Sequence, residues 1–357
     1  MKFKYSLSPN YHHPLSTKQM MKDLMIALVF ISICSLILQF NLYGMTGAIR
    51  AFLIMVVAVI GCVGTDFLYF KAVKITGNKM KAKVNENVPF ITGLILALCL
   101  PLGDLSSNMI LYVTLISAII AELFGKLIYG GFGYNIFNPA AVGRAFALLA
   151  FGALLVVPQI DGLASATPLA SLASSGGINA VKGSVTDFTS FLIGTHGGSI
   201  GETMVIPLII AGIFLAYRRV IDWVLPVVAV LFVGLLAFII GSFDGHALNY
   251  VYVHMFAGGL MLGAVLMITD PVTNPISRQG KIIYAILFAT ITFLIRLFAS
   301  LPEGVVFSIL ICNMFVPMID KFTANVTDVN TGKKALSVAV VAIVCILLTI
   351  LFKIAQG

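Results

Sequence analysis

Charge is what this chain has least of: 10% of its 357 residues are Asp, Glu, Lys or Arg, against 60% that are apolar. A soluble domain could not bury that much hydrophobic surface, so a soluble fold is excluded and an all-α integral membrane protein is expected. Cysteine is sparse as well. The five, Cys34, Cys62, Cys99, Cys312 and Cys345, lie singly inside apolar segments, which excludes a C-x-x-C zinc or redox pair and any cluster for iron–sulfur ligation. No Gly-rich dinucleotide fingerprint stands in a soluble βαβ context, so nicotinamide chemistry is not expected on this chain. Nor is a cleavable leader expected, because residues 1–22 are polar and basic and the first apolar run has full span length.

What is present is a succession of apolar segments at about 24–42, 46–70, 88–101, 109–128, 138–157, 203–217, 220–241, 251–269, 282–299, 304–319 and 335–353. The formal charge of +8 would suggest nucleic acid in a soluble protein. Here the Lys and Arg residues fall in short loops, so they report topology and no nucleic-acid partner is expected. With Lys2, Lys4, Lys18 and Lys22 inside, the inner loops also collect Lys71, Lys74, Lys79, Lys81, Lys83, Lys126, Arg218, Arg219, Arg278, Lys281, Lys321, Lys333 and Lys334. The outer loops hold Lys182 and little else basic. The expectation is a multi-pass membrane chain with a cytoplasmic N-terminus (1–23) and an extracytoplasmic, Gly/Ser/Thr-rich insert (158–202).

Five segments precede the insert and five follow it before the last. An odd number per half makes the second half enter from the opposite side, the design of an inverted repeat. The fold class expected is therefore two inverted five-helix repeats, ten transmembrane helices at 24–157 and 203–320, then a cytoplasmic linker (321–334) and an extra C-terminal transmembrane helix (335–353). Internal likeness supports it: Phe90–Leu96 resembles Phe256–Leu262, and Pro139-Ala-Ala-Val142 resembles Pro302-Glu-Gly-Val305. The third segment stops at Pro101 and the eighth at Asp270-Pro271, which suggests broken helices whose free backbone lines a site. Tolerated Pro and Gly in ordinary membrane helices is the plainer explanation.

Two stretches could carry chemistry. The run Gly130-Gly-Phe-Gly-Tyr-Asn135-Ile-Phe-Asn138-Pro139 offers close backbone approach at its glycines and two amides that both donate and accept. It suits a planar, polar-edged ligand, or equally a tight turn with Asn138 as a helix N-cap. In the insert, Thr167 stands between Ala166 and Pro168 with Ser165 before it and Asp161 six residues upstream, an unhindered hydroxyl in an accessible loop.

The stretch Asp161-Gly-Leu-Ala-Ser165-Ala166-Thr167 resembles a flavinylation signature. The 130–145 run, Met267-Ile-Thr-Asp270-Pro271, and the segment from Pro302 through Asn313 to Asp320 look like parts of the same family. That family is the D subunit of the Rnf complex, an ion-translocating ferredoxin:NAD oxidoreductase, together with the homologous B subunit of the sodium-translocating NADH:quinone reductase. The resemblance implies FMN esterified through its phosphate to Thr167 by a flavin transferase, with Asp161, Ser165 and Ala166 forming the recognition run. Ser165 departs from the glycine common at that position, and the segment at 335–353 is additional to the family's ten helices. The resemblance further implies a second, noncovalent flavin, riboflavin, near Asn135 and Asn138. It also implies partner subunits that hold the ferredoxin and NAD chemistry, so this chain would be a subunit of an enzyme and carry no complete active site.

Ionisable groups in or beside the spans are the candidates for moving Na⁺ or H⁺. Asp270 and Asp320 lie at inner span ends, and Glu122 lies deeper, where it could pair with Arg144; interfacial, solvated carboxylates are the competing account of the two aspartates. Two rival readings remain open at this level: an inverted-repeat transporter or channel for a small solute, and a passive scaffold subunit with Thr167 unmodified.

Overall fold

A computed structural model describes residues 16–155, 157–158, 188–194, 196–243, 245, 247–298, 304–324 and 331–356. The helices are α1 (Thr17–Ala72), α2 (Asn78–Asn87), α3 (Pro89–Cys99), α4 (Met109–Gly125), α5 (Pro139–Phe151), α6 (Phe188–Ile193), α7 (Val205–Tyr217), α8 (Val224–Phe243) and α9 (Ala247–Phe256). They continue with α10 (Leu260–Leu262), which runs into a π-helical turn at Gly263–Met267, then α11 (Arg278–Phe298), α12 (Gly304–Ala324) and α13 (Thr331–Gln356). No strand occurs among the described residues.

Helix α1 opens on Ser16, whose hydroxyl accepts the Gln19 N–H at 3.3 Å, satisfying one of the free donors of the first turn. Its 56 residues would reach about 84 Å as one rod, close to three bilayer cores. The rod is broken at Gly44, which sits at φ +67° and ψ −159°, backbone that an L side chain rarely adopts. The break falls between the expected segments 24–42 and 46–70.

Among the described residues, six helices are long and apolar enough to cross a membrane: α1, Met109–Tyr129, α8, α11, α12 and α13. A seventh candidate is α9 together with Leu260–Met267, bent by 54°. Three more, α3, Pro139–Leu154 and α7, are apolar but of 10–17 residues. Their shortness has visible causes. Helix α3 stops because Leu100 turns extended before Pro101 (ψ 145°), as the proline ring demands of the residue before it. Helix α5 starts at Pro139 behind the Asn138 cap. Helix α13 packs mainly on α11, and 11% of its apolar window is buried, so the rest of the chain leaves most of its surface uncovered.

The broken ends are closed by protein groups, as hydrocarbon surroundings require. At the end of α3, the N–H groups of Ile200 and Gly201 donate to the carbonyls of Leu100 and Leu98 at 2.9 and 2.8 Å. The approach needs glycine: a Cβ on Gly201 would lie 2.7 Å from Leu98 Cβ and 2.8 Å from Leu262 Cδ1. Between α9 and α10 the chain passes through Gly258 and Gly259 at φ +69° and +71°. Buried Arg296 of α11 donates there to His254, Ala257 and Gly258 carbonyls at 2.7, 3.0 and 2.8 Å.

Candidate functional site

Where α3, the 126–140 stretch, the loop at Val220–Ile221 and the end of the π turn converge, they enclose a cleft with about 680 Å³ of empty space, its mouth included. Its walls are apolar at Ile91, Ile95 and Leu266 and polar at Thr92, Lys126, Asn135, Asn138 and Asp270. Asn135 and Asn138 therefore meet Asp270, remote from them in sequence, at one cavity, while Asp320 and Glu122 do not line it.

Each polar group is positioned by a local bond. Asn138 accepts the Ala141 N–H at 3.2 Å as the cap of α5, and its Nδ2 donates to the Met267 carbonyl at 3.1 Å. It therefore ties the start of α5 to the end of the π turn, and the cap and cleft roles coexist. In the orientation that satisfies both ends of its amide, Asn313 of α12 accepts the Asn138 N–H at 2.9 Å and donates to Ile309 and Thr273 carbonyls, each at 3.2 Å. Asn135 Nδ2 donates to Phe137 O at 3.1 Å, and its Oδ1 is 3.4 Å from the Gly133 N–H. Asp270 accepts from Val272 N–H and Thr273 Oγ1, both at 3.2 Å. Loss of water pushes its carboxyl above the usual carboxylate range, and those two donors oppose the rise.

The remaining predicted residues fall elsewhere. Asp320 accepts the Ile276 N–H at 3.0 Å and so anchors the loop after the π turn. Glu122 is fully buried, and the expected partnership with Arg144 is not what it makes. Its Oε1 lies 2.8 Å from Lys126 Nζ, an i,i+4 pair, whereas Arg144 lines a separate small cavity with Ser199 and Glu202. Lys126 is one of the charges expected in a loop as a reporter of topology, yet it is 2% exposed. It acts as an internal counter-charge because its ammonium is taken up by Glu122, the Asn87 carbonyl and the Thr92 hydroxyl at the start of α3. Asp161, Ser165, Ala166 and Thr167 lie outside the described residues. The start of their insert does not: Tyr43 Oη donates to the Pro158 carbonyl at 3.1 Å. Leu24 lines the cleft, and the nineteen positions from Leu24 to Tyr43 rise about 28 Å along α1. The cleft and the root of the insert thus stand about one hydrocarbon thickness apart.

Residues missed from sequence include Asp66, Asn87, Glu202 and Asn313, all buried. Asp66 carried a usable signal, since an acid inside the apolar 46–70 run is costly unless it is partnered.

A model of the NQR2, RnfD, RnfE family matches residues 4–327. The chain belongs to that family. It is 34% identical, over 83% of its length and 89% of the relative's, to the D subunit of the proton-translocating ferredoxin:NAD⁺ oxidoreductase complex of Clostridium ljungdahlii. It is 32% identical, over 92% and 98%, to the D subunit of the Na⁺-translocating ferredoxin:NAD⁺ oxidoreductase complex of Acetobacterium woodii. Similarity extends at 35% identity, over 69% of this chain and 61% of the relative, to the B subunit of the Na⁺-translocating NADH-quinone reductase of Ectopseudomonas mendocina. The family match ends before α13.

Proposed function

We propose that this chain is the membrane subunit of an ion-translocating ferredoxin:NAD⁺ oxidoreductase of the Rnf type. In this reading FMN bound covalently at Thr167 relays electrons, and their passage is coupled to transport of Na⁺ or H⁺. Membership of the family carries the proposal, joined to the Asp161–Thr167 run that resembles a flavinylation signature. The expected architecture goes with it: ten helices as inverted repeats at 24–157 and 203–320, the insert 158–202 on the extracytoplasmic side, and an extra helix at the C-terminal end. In support of the repeat, α3 is short and α9–α10 is broken, the two places where the sequence suggested interrupted helices. Counting α1 as two rods at Gly44 is compatible with the same plan.

The cleft suits a second, noncovalent flavin. Its walls are mostly apolar, and Asn135, Thr92 and the charge of Lys126 stand on its polar side. Asn138 would shape the floor, since its amide is engaged by Ala141 and Met267. When bound, the flavin supplies the redox chemistry, and the protein supplies position and electrostatics. Asp270 at the rim is the acidic group of the proposed ion path nearest to it, and Asp320 holds the loop that follows.

The test is to express the chain with its flavin transferase, denature it in detergent and look for ultraviolet-excited fluorescence that migrates with the polypeptide. A fluorescent band that disappears in Thr167→Ala is expected. No band in the wild type, or a band that survives the substitution, would refute covalent flavin at Thr167 and favour a solute transporter or a passive scaffold.

A further inference from the structure

Behind the cleft lies a group of buried acids with one hydrogen too few. Asp66 of α1 and Glu122 of α4 are both 0% exposed and share the side-chain amide of Asn87. Asn87 Nδ2 lies 2.9 Å from each Asp66 oxygen and 3.4 Å from Glu122 Oε1. Lys126 Nζ reaches Glu122 Oε1 at 2.8 Å, Asn87 O at 2.9 Å and Thr92 Oγ1 at 2.8 Å. These contacts use all three ammonium hydrogens and both amide hydrogens, and Glu122 Oε2 has no partner.

The charge count agrees with the hydrogen count. Two carboxylates face a single ammonium. Cys62, the other titratable group at the pair, directs its thiol to Ala118 O at 3.6 Å. Helix α3 contributes Thr92 and no charged residue, and neither does α7. On α2, Lys79, Lys81, Lys83 and Glu86 are exposed, and the sole charged residue of α5, Arg144, lines the other cavity. A buried carboxylate with no counter-charge is so costly that it takes up a proton instead.

We infer that the Asp66–Asn87–Glu122 centre holds one exchangeable proton and carries it on the translocation path, linked to the cleft through Asn87 and Lys126. The proton supplies the missing hydrogen between the carboxyls and leaves one negative charge opposite Lys126. Sodium would want oxygen ligands on every side, whereas the neighbours between these acids are N–H donors. The link to the cleft is physical. Asn87 Oδ1 accepts the Phe132 N–H at 2.6 Å, so the Gly-rich loop fixes the amide, and Lys126 itself lines the cleft. Negative charge arriving in the cleft raises the proton affinity of the pair, and its departure lowers it. The carrying role rests on the proposed ion-translocating function, whereas the bound proton does not.

The test is infrared spectroscopy of the assembled complex at neutral pH, wild type minus Asp66→Asn and wild type minus Glu122→Gln. Each substitution leaves one carboxylate facing Lys126, so both variants are expected to assemble, and either one alone suffices. The expected result is a protonated-carboxyl carbonyl band, shifted in D₂O, lost in both variants and unaffected by saturating NaCl. In liposomes, ion transport is expected to be lost in both while electron transfer continues. A band that is absent from the wild type, is displaced by sodium or persists in both variants overturns the proton. A wild-type complex that shows the band but moves no ions overturns the translocation reading. Variants that pump normally overturn the carrying role.

Discussion

Arg296→Met should loosen the broken span more than any other single change in the second half of the chain. The guanidinium donates to three buried carbonyls within 3.0 Å, all between His254 and Gly258. Hydrogen bonds to a charged group are worth about 1.5–3 kcal/mol each. The three share one donor group and are not additive, so about 3–5 kcal/mol is the expected loss, the range seen when a buried charged partner is removed. Arg296→Lys keeps the charge but lacks the planar fork; reaching one or two of the carbonyls, it should recover roughly half. The assay is the apparent thermal midpoint of the detergent-purified chain, followed by the loss of its monodisperse peak, with limited proteolysis near Gly258 as a local probe. The predicted order is wild type, then Lys, then Met, with cleavage near Gly258 in Met first. Equal midpoints for wild type and Arg296→Met, with no new cleavage, would show that the break is held by something other than this side chain.

Three further outcomes follow from the same contacts. Gly201→Ala, which sets a Cβ 2.7 Å from that of Leu98, should cost about 1–3 kcal/mol by overpacking, whereas Gly64→Ala, with nothing within 4 Å, should be tolerated; paired thermal midpoints compare them. Asn138→Ala removes a cap, worth about 0.5–2 kcal/mol, and frees the Met267 carbonyl; on the proposed function, the ratio of noncovalent flavin to chain should fall while covalent fluorescence at Thr167 stays. Asp23→Asn breaks the 3.0 Å pair with Arg218, whose side chain is 39% exposed; the loss should stay below about 1 kcal/mol and shrink in high salt. A larger, salt-independent loss would mean that this contact does more than pin the start of α1 to the end of α7.

Much of the chain was legible from its apolar runs because membrane helices advertise themselves by composition. The breaks were legible in part: Gly44 stands at positive φ between two expected segments and Leu100 turns extended before Pro101, whereas the bend at Gly258–Gly259 falls inside the expected segment 251–269, whose end the sequence puts at Asp270-Pro271. Pairing was legible only in part. The contact between Glu122 and Lys126 has i,i+4 spacing, the geometry in which an acid preceding a base on a helix meets it, and it could have been read in place of the Glu122–Arg144 pair. Lys126 reads as a loop charge because span boundaries in sequence are uncertain by several residues, and that error decides whether a lysine meets water or protein. Glu202 sits at the end of the insert, where composition suggests an open loop, yet it is 5% exposed because residues 199–202 fold back against α3.

By itself the sequence determined that this is a membrane protein of helices with two interrupted segments and a polar insert, and its motifs resemble one family. Hydropathy and proline or glycine chemistry are local properties, readable one segment at a time. Only the tertiary structure decided that Asn135, Asn138 and Asp270 share a cleft, that Asp66 and Glu122 meet across two helices over one asparagine, and that the insert begins at the far end of the first rod of α1 from that cleft. Those are distances between segments remote in sequence, set by which helix faces pack together, and no single segment encodes them.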